Sequence, residues 1–462
     1  MTGQARFDQA SRTPFWLEGL AHRDDCPALK QDITSEIAIV GGGFVGLWSA
    51  LKARERWPDA QIVVVEADIC GVAASGRNGG FCAPSISHGV TNAQTRWPDE
   101  ADTLIRLGRE NLDELETDLQ LYGIDGEFER SGKLNLAAKP WQVEGLRGLQ
   151  RSYARNGIEA QFLEGKALAD RLDSPVYSAG LFEPNYALVH PVKLVQGLRR
   201  ACLDRGVGIY EHTRVDALEQ VGGKIRLATE QGNVTASKVI IATNADIPLL
   251  RRLRPMILPI FDYALMTEPL SDAQLEAIGW TGRYGIADSG NRFHYSRKTA
   301  DNRILWGGFD AIYHRGRRRD PALLNRQASF STLEANFLAV FPKLSGIKFD
   351  YCWGGIIDTS ARMTFFAGTA MSGSLAYALG FTGQGVSASR FAALLMLDML
   401  EGKRTERTEL KMARCRPVPF PPEPFCSLAV KWTQRDLERE DETGYRSLML
   451  RTLDCLGIGF AS

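Results

Sequence analysis

The stretch from Ile37 to Glu66 constrains the fold more than any other part of the chain. It opens with a short apolar run ending at Val40, as expected for a strand that is buried on both faces. Gly41, Gly43 and Gly46 follow at the G-x-G-x-x-G spacing. The first glycine allows a tight turn, the second lets a diphosphate approach the backbone, and the third lets a helix pack closely on the strand.

A helix and a second strand complete this unit. Residues Phe44 to Trp57 carry apolar side chains at helical spacing, namely Val45, Leu47, Trp48 and Leu51. Such a helix would offer free N–H groups and the positive end of its dipole to a phosphate. Glu66 ends the next apolar run, where a carboxylate accepts hydrogen bonds from a ribose diol and repels a 2′-phosphate. Strand, glycines, helix, strand and acid in register predict a dinucleotide site.

Composition narrows the class of protein. The 462 residues suit two to three domains. Lys plus Arg and Asp plus Glu both total 55, so no global field would attract nucleic acid or an anionic membrane. Eight cysteines without a C-x-x-C pair indicate reduced thiols. The start of the chain shows no signal-peptide pattern, and no apolar run approaches the roughly 20 residues of a membrane span. We expect a cytoplasmic protein without a metal site.

The pattern along the chain predicts a discontinuous domain organisation. Residues 1–34 form an arm in which Phe15 and Trp16 pack either on their own domain or on a lid or second subunit. The buried run Val239 to Ile241 delivers Thr243 and Asn244 to the edge of a sheet, beside the dinucleotide. Strand-like stretches dominate between 255 and 355. The predicted division is an arm (1–34), a cofactor domain (35–98, 170–254 and 355–415), a substrate domain (99–169 and 255–354) and a tail (416–462).

Four separated segments point to one family. They are the glycine motif with Glu66, the run Ala74-Ser75-Gly76-Arg77-Asn78-Gly79-Gly80, the strand ending at Asn244, and Gly380-Phe381-Thr382-Gly383-Gln384-Gly385-Val386. In this order they resemble the D-amino-acid-oxidase-like superfamily of FAD-dependent amine oxidoreductases. Residues 74–80 look most like the gamma-glutamylputrescine oxidase branch. The resemblance implies an α/β fold (α+β overall), with a Rossmann-like FAD domain and an inserted, mostly antiparallel substrate sheet.

The resemblance also assigns residues to non-covalent FAD. The implied cofactor-binding set is Gly41, Gly43, Phe44, Val45, Gly46, Glu66, Ala74, Ser75, Arg77, Asn78, Gly79, Gly80, Val215, Thr243, Asn244, Gly383, Gln384, Gly385 and Val386. Within it, Val215 would reach the adenine end through its backbone, and Gly383 to Val386 would lie at the pyrimidine end of the flavin. Many relatives carry His where this chain has Gln384, which cannot titrate near neutral pH. The usual proline is also missing from residues 358–364.

The implied reaction is oxidation of a carbon–nitrogen bond. A neutral amine would lose its α-hydrogen as hydride to flavin N5, and water would hydrolyse the resulting imine. Oxygen, with release of hydrogen peroxide, or another acceptor would remove the electrons. The catalytic residues are unknown at this stage, because such a reaction requires no general base. A homo-oligomer is compatible with this assignment.

Candidate substrate-binding residues come from the inserted sheet. Tyr295 and Arg297 share a strand face, and Arg297 either clamps an anionic group or joins the two domains. Tyr263 and Met266 either face the flavin or lie in the sheet core. Trp306 and Trp353 either line the pocket or pack structurally.

Three functions are compatible with these features. The first is oxidation of a small aliphatic amine such as a polyamine conjugate. The second is the same chemistry on an aminophosphonate or an N-alkyl amino acid. The third is a non-catalytic FAD-binding subunit of a larger oxidoreductase, which would bind FAD without turning over alone.

Overall fold

The computed structural model describes residues 5–459, apart from the side chains of residues 19, 21 and 22. The helices of this part of the chain are α1 Phe44–Arg56, α2 Ala74–Arg77, α3 Val90–Arg96, α4 Ala101–Tyr122, α5 Pro140–Arg155, α6 Gly165–Ala169, α7 Pro191–Asp204, α8 Asp272–Ala277, α9 Gln327–Val340, α10 Gly385–Leu400, α11 Glu406–Glu409, α12 Lys411–Arg414, α13 Phe425–Thr443 and α14 Leu448–Cys455.

The strands form two large sheets and one small ribbon. In chain order they are β1 Ile33–Val40, β2 Ile62–Val65, β3 Phe81–Cys82, β4 Lys133–Ala137, β5 Gln161–Glu164, β6 Ala179–Glu183, β7 Ala187–Leu188, β8 Gly208–Tyr210, β9 Ala217–Val221, β10 Lys224–Ala228, β11 Asn233–Ile241, β12 Ile257–Thr267, β13 Gly285–Asp288, β14 His294–Lys298, β15 Ile304–Gly308, β16 Ile312–Tyr313, β17 Phe349–Ser360, β18 Phe366–Ala370 and β19 Leu375–Leu379.

The first sheet has the order β18-β19-β11-β1-β2-β8, with the β9–β10 hairpin paired to β11. Its centre is parallel, with β1 pairing with both β2 and β11. The apolar runs predicted from sequence are buried on both faces. Helices α1, α7 and α10 cover one of these faces. The hairpin and the first residues of β12 pack against the other. The predicted Rossmann-like layer is therefore present.

The second sheet has the order β16-β12-β15-β14-β13-β4-β6-β5, with β17 also paired to β12. Its pairs are antiparallel except for β4 with β13. One face packs on α9 and a cluster of large aromatic side chains. The other face looks towards the first sheet and carries Ala264, Met266 and Trp353. This confirms the predicted mixed architecture with a mostly antiparallel second sheet.

Three elements lie elsewhere than the sequence division suggests. Strand β6 pairs with β4, so the second sheet extends past the predicted boundary at residue 170. Strand β17 stays paired to β12 as far as Ser360, beyond the boundary at 355. Helix α4 lies in the predicted substrate domain by sequence. Its leucine face is nevertheless buried in the same hydrophobic core as α1, which belongs to the first domain. The segments 234–236 and 239–244, which the sequence pattern presents as separate strands, contribute to the single strand β11, which ends at Ile241.

The N-terminal arm packs on its own chain. Trp16 is buried in a small cluster with Met266 and Trp353. Phe15 makes an edge contact with Tyr351, at 5.3 Å between ring centroids. The arm thus covers one end of the space between the two sheets. Within residues 5–459, no helix is both long and apolar enough to cross a bilayer.

Candidate functional site

The first glycine motif makes a tight turn between β1 and α1. Gly41 has φ +112°, a value that strains any residue with a side chain. A Cβ on Gly46 would lie 1.8 Å from the carbonyl oxygen of Gly41, so only glycine allows the helix to pack this closely. Helix α1 begins after Gly43, whose N-cap position provides no side-chain cap. Apart from the N–H of Phe44, which Ser75 accepts, the first turn of α1 from Val45 onwards is therefore available to an anion.

Glu66 lies directly after β2 and beside this turn. One carboxylate oxygen accepts the N–H of Gly42 at 2.6 Å, and the other accepts the N–H of Asp68 at 2.9 Å. Burial raises the pKa of Glu66, and these two hydrogen bonds act in the opposite direction. The bonds fix the carboxylate at the carboxyl edge of the sheet, where the sequence places a ribose.

A cleft of about 360 Å³ lies next to Glu66. Ala67 lines one side of the cleft, and Thr213, Arg214 and Asp216 line another. These three residues flank Val215, whose own side chain is buried in the core. The backbone of Val215 therefore borders a space large enough for a purine ring, as the sequence-based assignment requires.

The 74–80 segment folds as the short helix α2 and a glycine turn. The hydroxyl of Ser75 accepts the N–H of Phe44 at 3.0 Å, which joins this segment to the start of α1. The side-chain oxygen of Asn78 accepts the N–H of Gly80 at 2.8 Å. Its amide nitrogen donates to the carbonyl oxygens of Ala74 and Ser75, both at 2.9 Å. Asn78 thus fixes the shape of the loop that carries the buried Gly79 and Gly80.

The end of β11 supplies the third segment. Ala242 lies against Gly41, and its carbonyl oxygen would lie 2.5 Å from a Cβ on that glycine. The buried hydroxyl oxygen of Thr243 has no hydrogen-bond partner among residues 5–459. Asn244 has the left-handed φ of 48°, and its amide nitrogen donates to both carboxylate oxygens of Asp358, at 3.1 and 2.8 Å. A buried hydroxyl without a partner is what a bound polar ligand would satisfy.

Asp358 connects this turn to the fourth segment. Its carboxylate accepts the N–H groups of Gly380 at 2.5 Å and Phe381 at 3.1 Å. Burial raises the pKa of Asp358 to about 7, whereas the N–H donors lower it. Helix α10 begins at Gly385, and its N-cap, Gln384, makes no side-chain cap. Sequence reasoning used residues 358–364 only to note a missing proline and overlooked this carboxylate.

The four predicted segments close into one ring of contacts. Gly41 contacts Ala242 at the end of β11. Asn244, two residues later, donates to Asp358, and Asp358 accepts the N–H of Gly380 just before α10. The hydroxyl of Ser387, in the first turn of α10 near Val386, donates to the carbonyl oxygen of Ala83 at 2.6 Å. The hydroxyl of Ser75 accepts the N–H of Phe44 and so connects the 74–80 segment to the start of α1. Glycine turns that exclude a Cβ, two helix N-termini without a side-chain bond from the N-cap residue, and the unpartnered Thr243 hydroxyl all fit an extended dinucleotide.

The second sheet roofs this ring with a face of small residues. Ala264, Gly307 and Gly355 occupy neighbouring positions on β12, β15 and β17. The ring of Tyr295 crosses Gly307, where a Cβ would lie 2.6 Å from the tyrosine oxygen. The Tyr295 hydroxyl donates to the carboxylate of Asp262 at 2.7 Å. Both side chains are partly exposed.

Lys133 lies further along the same face, two strands beyond Tyr295. Its ammonium nitrogen is 5.4 Å from the ring centroid of Tyr186. It forms no ion pair or hydrogen bond with any residue in the described part of the chain. Burial lowers the pKa of Lys133, and the charge of Glu183 opposes this effect. Sequence reasoning overlooked both Asp262 and Lys133, because neither belongs to a motif.

The six predicted substrate-site residues divide between the two faces of this sheet. Met266, Trp353, Tyr295 and Arg297 lie on the face towards the first domain. The side chains of Tyr263 and Trp306 lie on the opposite face, in the aromatic core beside α9. The hydroxyl of Tyr263 donates there to the carbonyl oxygen of Leu323 at 2.8 Å. For Tyr263 and Trp306 the structure therefore favours the core alternative.

Arg297 is buried at the junction of the two domains. Its guanidinium donates to the carbonyl oxygen of Val189 at 2.5 Å and lies over the ring of Trp16, 5.6 Å from the centroid. The same nitrogen would lie 2.6 Å from a Cβ on Gly80. Burial lowers the pKa of Arg297 to about 10. This arrangement favours the joining role over an anion clamp.

Comparisons with known proteins agree with this geometry. The sequence profile of the DAO family, described as FAD dependent oxidoreductase, matches residues 36–399. The gamma-glutamylputrescine oxidoreductase of Escherichia coli is 30% identical over 398 residues, which cover 85% of this chain and 89% of that protein. A probable oxidoreductase OrdL of Haemophilus influenzae is 29% identical over 384 residues, covering 81% and 85%.

A solved structure shares the fold. Glycine oxidase from Geobacillus kaustophilus superimposes with a TM-score of 0.70 at 18% identity, over 83% of this chain and 99% of that one. The sequence-based prediction of the family, of its fold and of FAD as cofactor is thereby confirmed.

Proposed function

Because this chain belongs to the DAO family of FAD-dependent oxidoreductases, we propose that it oxidises the C–N bond of a small aliphatic amine. The reaction takes a primary amine, water and dioxygen to an aldehyde, ammonia and hydrogen peroxide; a secondary amine would release a primary amine in place of ammonia. The carbon next to the nitrogen is oxidised, the C–N bond breaks, and dioxygen takes up the two electrons. The proposed substrate is a polyamine conjugate, in line with the gamma-glutamylputrescine oxidoreductase relative. We also propose that the enzyme works in the cytoplasm.

The observation that carries this proposal is the ring of four segments under a roof of small side chains. When bound, FAD supplies the two-electron acceptor for the reaction. The glycine turns and the N-terminus of α1 would hold its diphosphate, and Glu66 its ribose. The N-terminus of α10 would stabilise negative charge at the pyrimidine end of the flavin, since the dipole there is positive. No covalent link is required.

The polar groups on the second sheet favour an amine substrate over a simple amino acid. Arg297, the one candidate anion clamp predicted from sequence, already donates to the backbone of Val189. The half-exposed polar groups over the small-residue face are instead the carboxylate of Asp262 and the hydroxyl of Tyr295. These groups accept hydrogen bonds from a cation. The ammonium of Lys133 lies two strands away and would suit a second, anionic end of a conjugate.

The alternative substrates carry an anion next to the reacting nitrogen. An aminophosphonate or N-alkyl amino acid would need a cation close to the Asp262–Tyr295 pair. Lys133, which has no ion-pair partner among the described residues, lies four strands from Asp262 in the sheet, so these substrates are the second proposal.

Anaerobic reduction of the purified flavoprotein tests the proposed function. The panel would contain 1,4-diaminobutane, its N-γ-glutamyl conjugate, sarcosine and aminomethylphosphonate, each mixed with the oxidised protein in the absence of oxygen. We expect the conjugate to bleach the flavin band fastest. Bleaching by sarcosine or aminomethylphosphonate alone would select the second proposal. FAD that no amine reduces would favour a non-catalytic subunit instead.

A further inference from the structure

A carboxylate stands where the sheet pattern calls for an apolar residue. Asp262 lies in the middle of β12, between the buried side chains of Phe261 and Tyr263. Because successive residues of a strand face opposite sides, Asp262 points to the face that looks towards the first domain. Its cross-strand neighbour on β17 is Gly355, and Gly307 of β15 pairs with Ala264, two residues further along β12.

The side chain of Tyr295 orients this carboxylate, and the backbone N–H groups of Tyr263 and Gly308 also stabilise its negative charge. The Tyr295 hydroxyl donates to one oxygen at 2.7 Å after crossing Gly307. Tyr295 itself is held by an edge contact with Phe81, at 6.0 Å between centroids. It also lies against Gly79, where a Cβ would be 2.9 Å from the ring. The pair therefore sits directly above the glycine loop that the cofactor assignment places at the flavin edge.

The carboxylate lacks a charge partner within the protein. Among residues 5–459, no Lys, Arg or His lies within ion-pair distance of Asp262. The acid that faces it, Asp310, is already bound to Ser329 at 2.7 Å and to Arg326 at 3.2 Å. Burial raises the pKa of Asp262 to about 6, and the Tyr295 bond opposes that effect. A half-buried anion of this kind is stabilised by a cation that arrives from outside.

We propose that Asp262 is the subsite that binds the cationic nitrogen of the substrate, with Tyr295 as the residue that positions the carboxylate. This inference rests on the proposed function and deepens it, because it assigns substrate selection to a named charge. The ligand class is an alkylammonium or alkylguanidinium. The neutral hydroxyl of Tyr295 leaves the second carboxylate oxygen to accept the incoming N–H group.

Two unreactive probes of equal shape test the charge directly. The n-butylguanidinium ion and neutral n-butylurea differ in one heavy atom, and neither is an aliphatic amine with a free nitrogen lone pair. Their dissociation constants for the FAD-loaded protein can be read from the change in flavin absorbance at equilibrium. We expect the wild-type protein to bind the cation at least tenfold more tightly than the urea, and Asp262→Asn to reduce that ratio to about one.

Three further variants separate recognition from general damage. Asp262→Glu keeps the charge and should retain most of the preference. Tyr295→Phe keeps the carboxylate but frees it to rotate, so the ratio should fall by roughly threefold. Asp310→Asn removes the charge of a nearby acid that is already bound to Arg326 and Ser329, so it should change the ratio far less than Asp262→Asn does. FAD content and far-ultraviolet circular dichroism confirm that each variant is folded before the probes are added.

Equal binding of both probes by the wild-type protein would overturn the inference. So would an unchanged preference in Asp262→Asn, or an equal loss of preference in Asp310→Asn. These outcomes are independent of the amine panel, because neither probe is turned over. If amines bleach the flavin but Asp262→Asn still prefers the cation, only this inference fails. If the probes behave as expected but no amine reduces the flavin, the proposed function fails and the cation subsite stands.

Discussion

Arg77 and Trp353 hold the two domains together through reciprocal hydrogen bonds. The indole N–H of Trp353 donates to the carbonyl oxygen of Arg77 at 3.0 Å. The guanidinium of Arg77 donates back to the carbonyl oxygen of Gly354, next to Trp353, at 3.1 Å. One partner is the 74–80 loop and the other is roof strand β17. The position of the roof over the loop is therefore fixed at this point.

Replacing Trp353 with Phe should weaken this connection. The variant loses the N–H donor and part of a buried ring, which should lower the free energy of unfolding by about 2 kcal/mol. Urea unfolding of the FAD-loaded protein measures the change. Trp432→Phe, on the exposed face of α13 where the native side chain is 62% exposed, is the matched control and should change stability by less than about 0.5 kcal/mol. Equal effects of the two variants would contradict a joining role for Trp353.

Gly46→Ala should disrupt the first glycine turn. The added Cβ would meet the carbonyl oxygen of Gly41 at 1.8 Å, so α1 must move away from β1. We expect several kcal/mol of destabilisation and loss of most bound FAD, measured by thermal unfolding and by flavin content. Gly145→Ala, inside α5 with open space around it, is the control. It should raise stability by up to about 1 kcal/mol. Full flavin occupancy in Gly46→Ala would show that the turn does not contact the cofactor.

The buried carboxyl of Asp358 should make stability depend on pH. Its pKa is about 7 in the folded protein, against 3.8 for the ordinary group. Between these values the folded state holds a proton that the unfolded state has lost, so stability falls as pH rises from about 4 to 7. The wild-type protein should lose about 2 kcal/mol more than Asp358→Asn between pH 5 and pH 8. Urea unfolding at both pH values measures the difference, since the other titrating groups cancel. Parallel pH curves would mean that the Asn244 and backbone donors keep this carboxylate ionised.

Arg297→Met decides between the two roles of this arginine. The structure shows its guanidinium on the backbone of Val189, so the variant should lose about 2 kcal/mol of unfolding free energy. The KM values for anionic and uncharged amines should then rise by the same factor. Steady-state kinetics with a carboxylated amine and its uncharged methyl ester provide the comparison. A KM increase confined to the carboxylated amine, with unchanged stability, would instead identify an anion clamp.

The first glycine motif could be predicted from sequence because its turn is local. A Cβ on Gly46 would strike the carbonyl oxygen of Gly41, five residues earlier, and Gly41 itself has a positive φ. Asn78 was recognisable for a similar reason, since its partners lie within four residues. The four segments could thus be identified without knowledge of the packing between them.

The roof could be predicted less well, because it depends on strand parity and register. Tyr263 and Met266 are three residues apart on one strand, so their side chains must face opposite sides of the sheet. Sequence alone did not decide which side faces the cofactor. The sequence alone does not mark Asp262 as a site residue. Its surroundings depend on strand pairing, which places Gly355 opposite Asp262 and Gly307 opposite Tyr295. The role of Asp358 is likewise not apparent from sequence, because the N–H group that its carboxylate accepts belongs to Gly380, 22 residues away.

Anaerobic titration of the FAD-loaded protein with an aliphatic amine decides whether the four segments enclose a working flavin. We predict a yellow protein with one FAD per chain, whose absorbance band near 450 nm (about the usual value for oxidised flavin) disappears on addition of the amine and returns with air. A correctly folded protein that neither retains nor takes up added FAD would contradict this prediction.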